Sequence, residues 1–118
     1  IHAPGHSPGG IVLLDRASGF LFSTDVAYAG PLYAFGEDAD LAAYRQTLGL
    51  LADLAPSLEA VFPSHNAARI EPAMLIAMRG GIDAVTAGRA PETTRDGVAR
   101  HRFDGFSILV DATGPGHR

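Results

Sequence analysis

A short segment rich in proline and glycine, residues 2–10, restricts the fold of this chain more than any other. It places His2 and His6 among two prolines and three glycines, directly before the apolar residues 11–14. Proline fixes φ and glycine accepts positive φ, so the segment predicts a tight, rigid turn outside any helix or strand. A rigid turn holds a side chain in one position, so this segment favours a functional role for His2 or His6.

The composition indicates one globular domain covering residues 1–118, since 47% of the residues are hydrophobic and 19% are charged. The sequence has no cysteine, so a metal site would have to use His, Asp or Glu. The net charge of −4 argues against a nucleic-acid partner. No apolar run approaches the roughly 20 residues of a membrane span, and no signal peptide is visible. We therefore expect a cytoplasmic protein that does not contact a membrane; because the chain starts at Ile1, this expectation covers the printed residues only.

Two short apolar runs, residues 11–15 and 20–23, predict a β-hairpin because a four-residue loop ending in Gly19 separates them. Both runs are almost continuously apolar, which is typical of strands buried on both faces. Residues 26–36 have no clear period and predict a long loop that contains several aromatic side chains.

Two helices with apolar stripes follow. Asp38 or Asp40 can cap a helix that runs to about Ala55 and is stopped by Pro56. A strand is predicted at 58–63, and a second helix from near Pro72 to Gly88. The inward positions of the two helices, at helical spacing, are Leu41, Tyr44, Leu48, Leu51 and Leu54, then Met74, Leu75, Met78, Ile82 and Val85.

Residues 98–103 and 106–110 predict a second hairpin, because Asp104-Gly105 between them is typical of a type I′ turn. The tail from Asp111 is predicted to fray. The predicted order is hairpin, helix, strand, helix, hairpin. The fold class is therefore α/β (α+β), with a mixed sheet and two main helices.

Three candidate metal ligands follow or flank these strands: His6, Asp25 and His65. The ends of strands in one sheet lie along one edge, so the three side chains can converge there. Two imidazoles and a carboxylate suit zinc, iron or manganese. The alternative stays open, because an Asp ending a strand is a common turn residue and a lone loop His is commonly solvated. On that interpretation the chain is a metal-free binding module.

The motifs around these residues resemble those of metallo-beta-lactamase-fold hydrolases. Residues 2–9 (HAPGHSPG) resemble the family's histidine turn, 23–25 (STD) its strand-end aspartate, and 62–66 (FPSHN) its last histidine motif. The resemblance implies the C-terminal half of an αβ/βα sandwich. It implies that His6 binds one zinc ion, that Asp25 bridges two such ions, and that His65 binds the second.

The resemblance also implies the remaining site residues and the chemistry. His2 matches a position that is usually not a ligand and would lie beside the site. Tyr28, Tyr33 and Asn66 would contribute to the substrate cleft. The implied reaction is hydrolysis of an ester, thioester or lactam-type bond of a small molecule by a metal-bound hydroxide, with Asp25 as the catalytic residue that orients it. Overall similarity to the glyoxalase-II-like branch mildly favours a thioester.

The sequence departs from the family pattern in two ways. The motif H-x-H-x-D-H, which belongs to the N-terminal half of the fold, occurs nowhere in these 118 residues. Thr24 and Ser64 stand where the family usually has Gly. Two hypotheses follow. The chain is a metallo-hydrolase completed by an N-terminal half, or a catalytically incomplete half-domain that forms a homo-oligomer or binds a partner through an exposed sheet face.

Overall fold

Two small sheets and two helices make up the fold of residues 1–112, the part of the chain that the computed structural model describes. The first sheet has strand order β1-β2-β4 and the second has order β3-β7-β6-β5. In chain order the elements are β1 Leu13–Asp15, β2 Phe20–Thr24, β3 Pro31–Ala34, α1 Leu41–Leu54, β4 Ala60–Pro63, α2 Ala73–Thr86, β5 Thr93–Arg95, β6 Val98–Arg102 and β7 Ser107–Asp111.

The first sheet confirms the predicted hairpin, because β1 and β2 pair antiparallel. β4 adds to the other side of β2 in parallel. The prediction that these strands are buried on both faces is wrong. Leu21 and Val61 are fully buried, but the paired side chains of Leu13 and Phe22 on the opposite face are 56% and 40% exposed. The helices of this chain cover one face of the sheet, and the apolar side chains on the other face remain in contact with solvent.

The second sheet corrects the prediction that residues 26–36 form a loop throughout. Pro31–Ala34 is strand β3, which pairs in parallel with β7. Leu32 and Ala34 are buried while Tyr33 between them is exposed, so this strand has the two-residue alternation of a sheet with one buried face. The segment is short and lies between Gly30 and Gly36, and this short length obscured the period in the sequence.

The hairpins of the second sheet also differ from the prediction. β6 and β7 pair antiparallel as expected, but Asp104-Gly105 is not a type I′ turn, since only Gly105 of the two has positive φ. Positive φ at both central residues occurs instead at Asp96 and Gly97, which join β5 to β6. Strand β5 was not predicted, because its three residues are all exposed and none is apolar.

Both helices lie where their patterns predict them. Asp40 caps α1 by accepting a hydrogen bond from the Ala43 amide at 3.0 Å, and the helix gives way to a 3₁₀ turn at Ala55–Ser57 that contains Pro56. Both apolar stripes supply core residues; those fully buried are Tyr44, Leu48, Leu51, Leu75, Met78 and Ile82.

The C-terminal prediction is wrong in part. Asp111 is the last residue of β7 rather than the start of a frayed tail, and 113–118 lie outside the described residues. Neither helix of residues 1–112 is long and apolar enough to cross a membrane.

Candidate functional site

The parallel pairing of β2 with β4 brings Asp25 and His65 together. Asp25 directly follows β2, His65 comes two residues after β4, and the Ser64 amide donates to the Thr24 carbonyl at 3.1 Å. Parallel strands end at the same edge of a sheet, so the two side chains meet there. Nε2 of His65 lies 2.6 Å from Oδ1 of Asp25, and both side chains remain about half exposed.

Backbone in the left-handed region flanks this pair on both sides. Thr24, just before Asp25, has φ +52°, and Asn66, just after His65, has φ +69°. Asn tolerates this conformation, whereas a β-branched residue rarely adopts it. Oγ1 of Thr24 donates at 2.6 Å to the carbonyl of Ile11, which directly follows the segment of the histidine turn. The left-handed backbone at position 24 explains why a Gly is usual there. Thr24 adopts the same conformation under strain, and its side-chain hydrogen bond holds it in place.

The histidine turn holds His6 through main-chain contacts. The Ala3 amide donates to the Gly10 carbonyl at 2.7 Å and closes the turn. Nδ1 of His6 lies 2.9 Å from the Tyr33 carbonyl oxygen on β3. A carbonyl oxygen only accepts, so Nδ1 carries a proton, and in the neutral form of the ring the lone pair lies on Nε2.

His6, Asp25 and His65 line one cleft of about 420 Å³, together with Tyr28, Pro31, Tyr33 and Asn66. The Tyr28 ring packs edge-on against the His65 ring at 5.2 Å between centroids. Burial raises the pKa of Tyr28 to about 12, and the nearby Tyr33 and Asp25 add to the shift. Its hydroxyl donates to the Pro31 carbonyl, so Tyr28 stays protonated and acts as a wall rather than a base.

Sequence reasoning placed two further residues in or beside this site. The side-chain amide of Asn66 donates to the Ala29 carbonyl at 2.9 Å, which joins the His65 loop to the segment before β3. His2 does not line this cleft; its Nε2 lies 2.9 Å from the Pro8 carbonyl oxygen, and its side chain borders a separate cleft beside Asp40. The role of the Tyr33 carbonyl was missed because strand β3 itself was not predicted from so short a segment.

The family follows from the sequence over the segment that builds this cleft. Residues 1–65, more than half of the chain, match the model of the metallo-beta-lactamase superfamily. The chain belongs to the metallo-beta-lactamase superfamily. Among solved structures it is similar to the metallo-beta-lactamase FIM-1 from Pseudomonas aeruginosa in its mono-zinc form. The two share 19% sequence identity with a TM-score of 0.56.

That similarity covers 73% of this chain and 38% of the FIM-1 chain, so the chain spans well under half the length of the structure it matches. Its mixed sheets and two helices correspond to half of the metallo-beta-lactamase αβ/βα sandwich. None of the curated proteins compared with the chain matches it.

Metallo-beta-lactamase family membership implies a zinc centre, and the donor chemistry of the cleft fits one in part. Nε2 of His65 and Oδ1 of Asp25 already approach one another, and His6 has a lone pair on Nε2. Imidazole nitrogens and carboxylate oxygens are ordinary zinc ligands. Within residues 1–112, however, no three His, Asp or Glu side chains come close enough to hold an ion together. The described residues therefore supply part of a ligand set.

Proposed function

We propose that the chain contributes Asp25, His65 and His6 to the metal centre of a hydrolase. The contact of 2.6 Å between Asp25 and His65 carries the proposal, because it pairs a carboxylate with an imidazole at the converging ends of two parallel strands. The substrate class is a small molecule with an ester, thioester or lactam-type bond. Zinc fits the donors best, iron and manganese are alternatives, and the completed site would hold two ions.

When bound, zinc supplies hydroxide at neutral pH by lowering the pKa of its water to about 7, and it polarises the substrate carbonyl. The residues of this chain have separate tasks around that chemistry. Asp25 only accepts hydrogen bonds when ionised, so it can hold and orient the attacking water. The Tyr33 carbonyl fixes the ring of His6 through Nδ1. Tyr28 packs against His65 and limits its rotation.

The test is metal content per chain, measured by elemental analysis on protein purified without chelators or added zinc. His6→Ala and His65→Ala should each lose the metal, whereas His2→Ala is the matched control because His2 lies outside the cleft. A thioester hydrolysis assay on wild type and Asp25→Asn follows, with loss of turnover expected in the variant. Substoichiometric metal that responds to neither histidine variant would overturn the proposal for this chain.

A second candidate function rests on the exposed face of the β1-β2-β4 sheet. Ile11, Leu13 and Phe22 are 50%, 56% and 40% exposed there, and the Phe22 ring stacks on Phe62 at 5.6 Å. Contiguous exposed apolar side chains favour association. We propose that this face forms the interface between two copies of the chain in a homo-oligomer, or packs against the N-terminal half of the fold.

Sedimentation of the purified chain tests this second candidate. Leu13→Glu should shift the chain toward monomer, while Ile76→Glu should not, because Ile76 is similarly exposed but lies on α2, away from the sheet face. Equal behaviour of the two variants would argue against the sheet face as an interface.

A further inference from the structure

A second cleft of about 660 Å³ lies between the inner face of the β3-β7-β6-β5 sheet and the helices. Its buried lining includes Ala34 on β3 with Ala99 and His101 on β6. Leu41 at the start of α1 and Val85 near the end of α2 form its sides. Among residues 1–112 it shares no lining residue with the Asp25–His65 cleft. Ala34 and Tyr33 belong to different clefts because neighbouring side chains of a strand point to opposite faces.

This cleft exists because one row of the sheet carries small side chains. Ala34, Val110 and Ala99 are paired across the three strands, and two of these three are alanines. In the next row Leu32 and Ile108 are fully buried, so larger side chains fill the space under the helices there. The alanine row leaves a space that the helices do not fill.

His101 gives the cleft a polar group. The residue is 4% exposed, and its Nδ1 has no hydrogen-bond partner within residues 1–112. A buried polar atom without a partner is uncommon, because its desolvation is not compensated. Burial lowers the pKa of His101, the nearby Arg89 lowers it further and Glu92 opposes the shift. The ring is therefore neutral near pH 7.

Two charged side chains line the cleft, Arg89 and Asp111, and both have partners. The Asp111 carboxylate accepts from the Gly36 amide at 3.3 Å. A terminal nitrogen of Arg89 donates to a Glu92 carboxylate oxygen at 3.1 Å and to the Arg102 carbonyl at 3.0 Å. The guanidinium carbon of Arg89 lies 4.2 Å from the centre of the Phe103 ring. Nδ1 of His101, an uncharged group, is then the polar atom that a ligand would satisfy.

We propose that this cleft binds a small uncharged organic molecule with an apolar body and one hydroxyl group that hydrogen-bonds Nδ1 of His101. A hydroxyl both donates and accepts, so it matches either tautomer of the ring. Alanine and valine side chains contact the apolar body. Nδ1 is covered in the free protein, so the lining side chains shift as the ligand enters, a rearrangement that is common on binding.

Cyclohexanol is the probe, and protonated cyclohexylamine and cyclohexanecarboxylate are its charged counterparts. Each is titrated into the full chain labelled with ¹⁵N. Cyclohexanol should produce saturable shifts of the amide signals of Ala34, Ala99 and Val110, and its charged counterparts should not. Absence of saturable shifts up to the solubility of cyclohexanol would overturn the proposal, and so would tighter binding of either charged ring.

The variant His101→Phe removes the ring nitrogens while keeping an aromatic ring. It should weaken cyclohexanol binding about ten-fold, the effect of losing one ordinary hydrogen bond. Arg100→Gln is the matched control, since Arg100 lies beside His101 on the exposed face of β6. The imidazole ¹⁵N signal of His101 in wild type provides a second measurement that does not depend on the folding of a variant. It should move on saturation with cyclohexanol, and an unchanged signal or unchanged affinity in His101→Phe would refute the assignment.

Discussion

Gly5 fixes the position of the histidine turn on helix α1, and Gly5→Ala should therefore be strongly destabilising. An added Cβ at Gly5 would lie 2.6 Å from the Tyr44 amide nitrogen, where ordinary contacts begin at 3.4 Å. The neighbour is helix backbone and cannot rotate away as a side chain could. Because Cα and Cβ of Tyr44 would lie nearer still, the turn would have to move away from α1 by more than 0.8 Å (3.4 − 2.6).

That movement breaks two hydrogen bonds between the turn and the helix. The Asp40 amide donates to the Gly5 carbonyl at 2.8 Å, and the buried hydroxyl of Thr47 donates to the Pro4 carbonyl at 2.7 Å. Each is worth about 1 kcal/mol net. Gly5 also has φ +135°, which costs a residue with a side chain about 1–3 kcal/mol. The free energy of unfolding should fall by about 3–5 kcal/mol, a large part of the stability of a small domain.

Urea and thermal unfolding followed by circular dichroism measure this loss, with an expected fall in Tm of roughly 15 °C. Gly9→Ala is the matched control, because a Cβ there meets no atom within 4 Å and Gly9 does not have positive φ. It should change stability by less than about 0.5 kcal/mol. Equal stability of the two variants would show that the turn does not rest on α1 as described.

Three further perturbations test other parts of the structure. Thr24→Ala should lower the free energy of unfolding by about 1 kcal/mol, because it loses the hydrogen bond to Ile11. Thr24→Gly should recover that loss, because Gly adopts the left-handed conformation without strain. Denaturant midpoints that rank the two variants in the reverse order would contradict this. Because the folded-state pKa of His101 is lowered, the unfolded chain takes up its proton first as pH falls below about 6.5, so stability should decline there. The decline should be smaller in His101→Phe, and parallel pH profiles would exclude this cause. In Gly30→Ala the new Cβ would overlap the side chain of Asn66, which lies next to His65 and bonds to the Ala29 carbonyl. The affinity for zinc, measured by competition with a chelator, should therefore fall below that of wild type. An unchanged affinity would show that this contact does not position His65.

The sequence allowed the helices and the Asp25–His65 edge to be predicted because their signals are local. The apolar stripe of α1 and the cap at Asp40 depend on neighbouring residues only. The two ligand motifs each follow the end of a strand, and the parallel pairing of β2 and β4 places those two ends at the same edge of the sheet. The helices needed no knowledge of distant contacts, and the strand-end motifs needed only the assumption that both strands belong to one sheet.

The features that could not be predicted, strands β3 and β5 and the contact of His6 with Tyr33, depend on pairing between strands. β3 is stabilised by β7, whose residues lie 76 positions later, as in the pair Pro31 and Ser107 (107 − 31). β5 has no apolar residue and exists because Asp96-Gly97 turns it back onto β6. The contact of His6 with the Tyr33 carbonyl follows from the position of β3, so it could not be inferred before that strand was known.

The candidate ligands contact different sheets, so their positions depend on different parts of the fold. Asp25 and His65 both extend from the β1-β2-β4 sheet, so a movement of one sheet against the other leaves their separation unchanged. The ring of His6 contacts the Tyr33 carbonyl on β3 of the second sheet, so its orientation depends on where that sheet lies. The separation of Asp25 and His65 is thus set within one sheet, whereas the orientation of the His6 ring is set from the other.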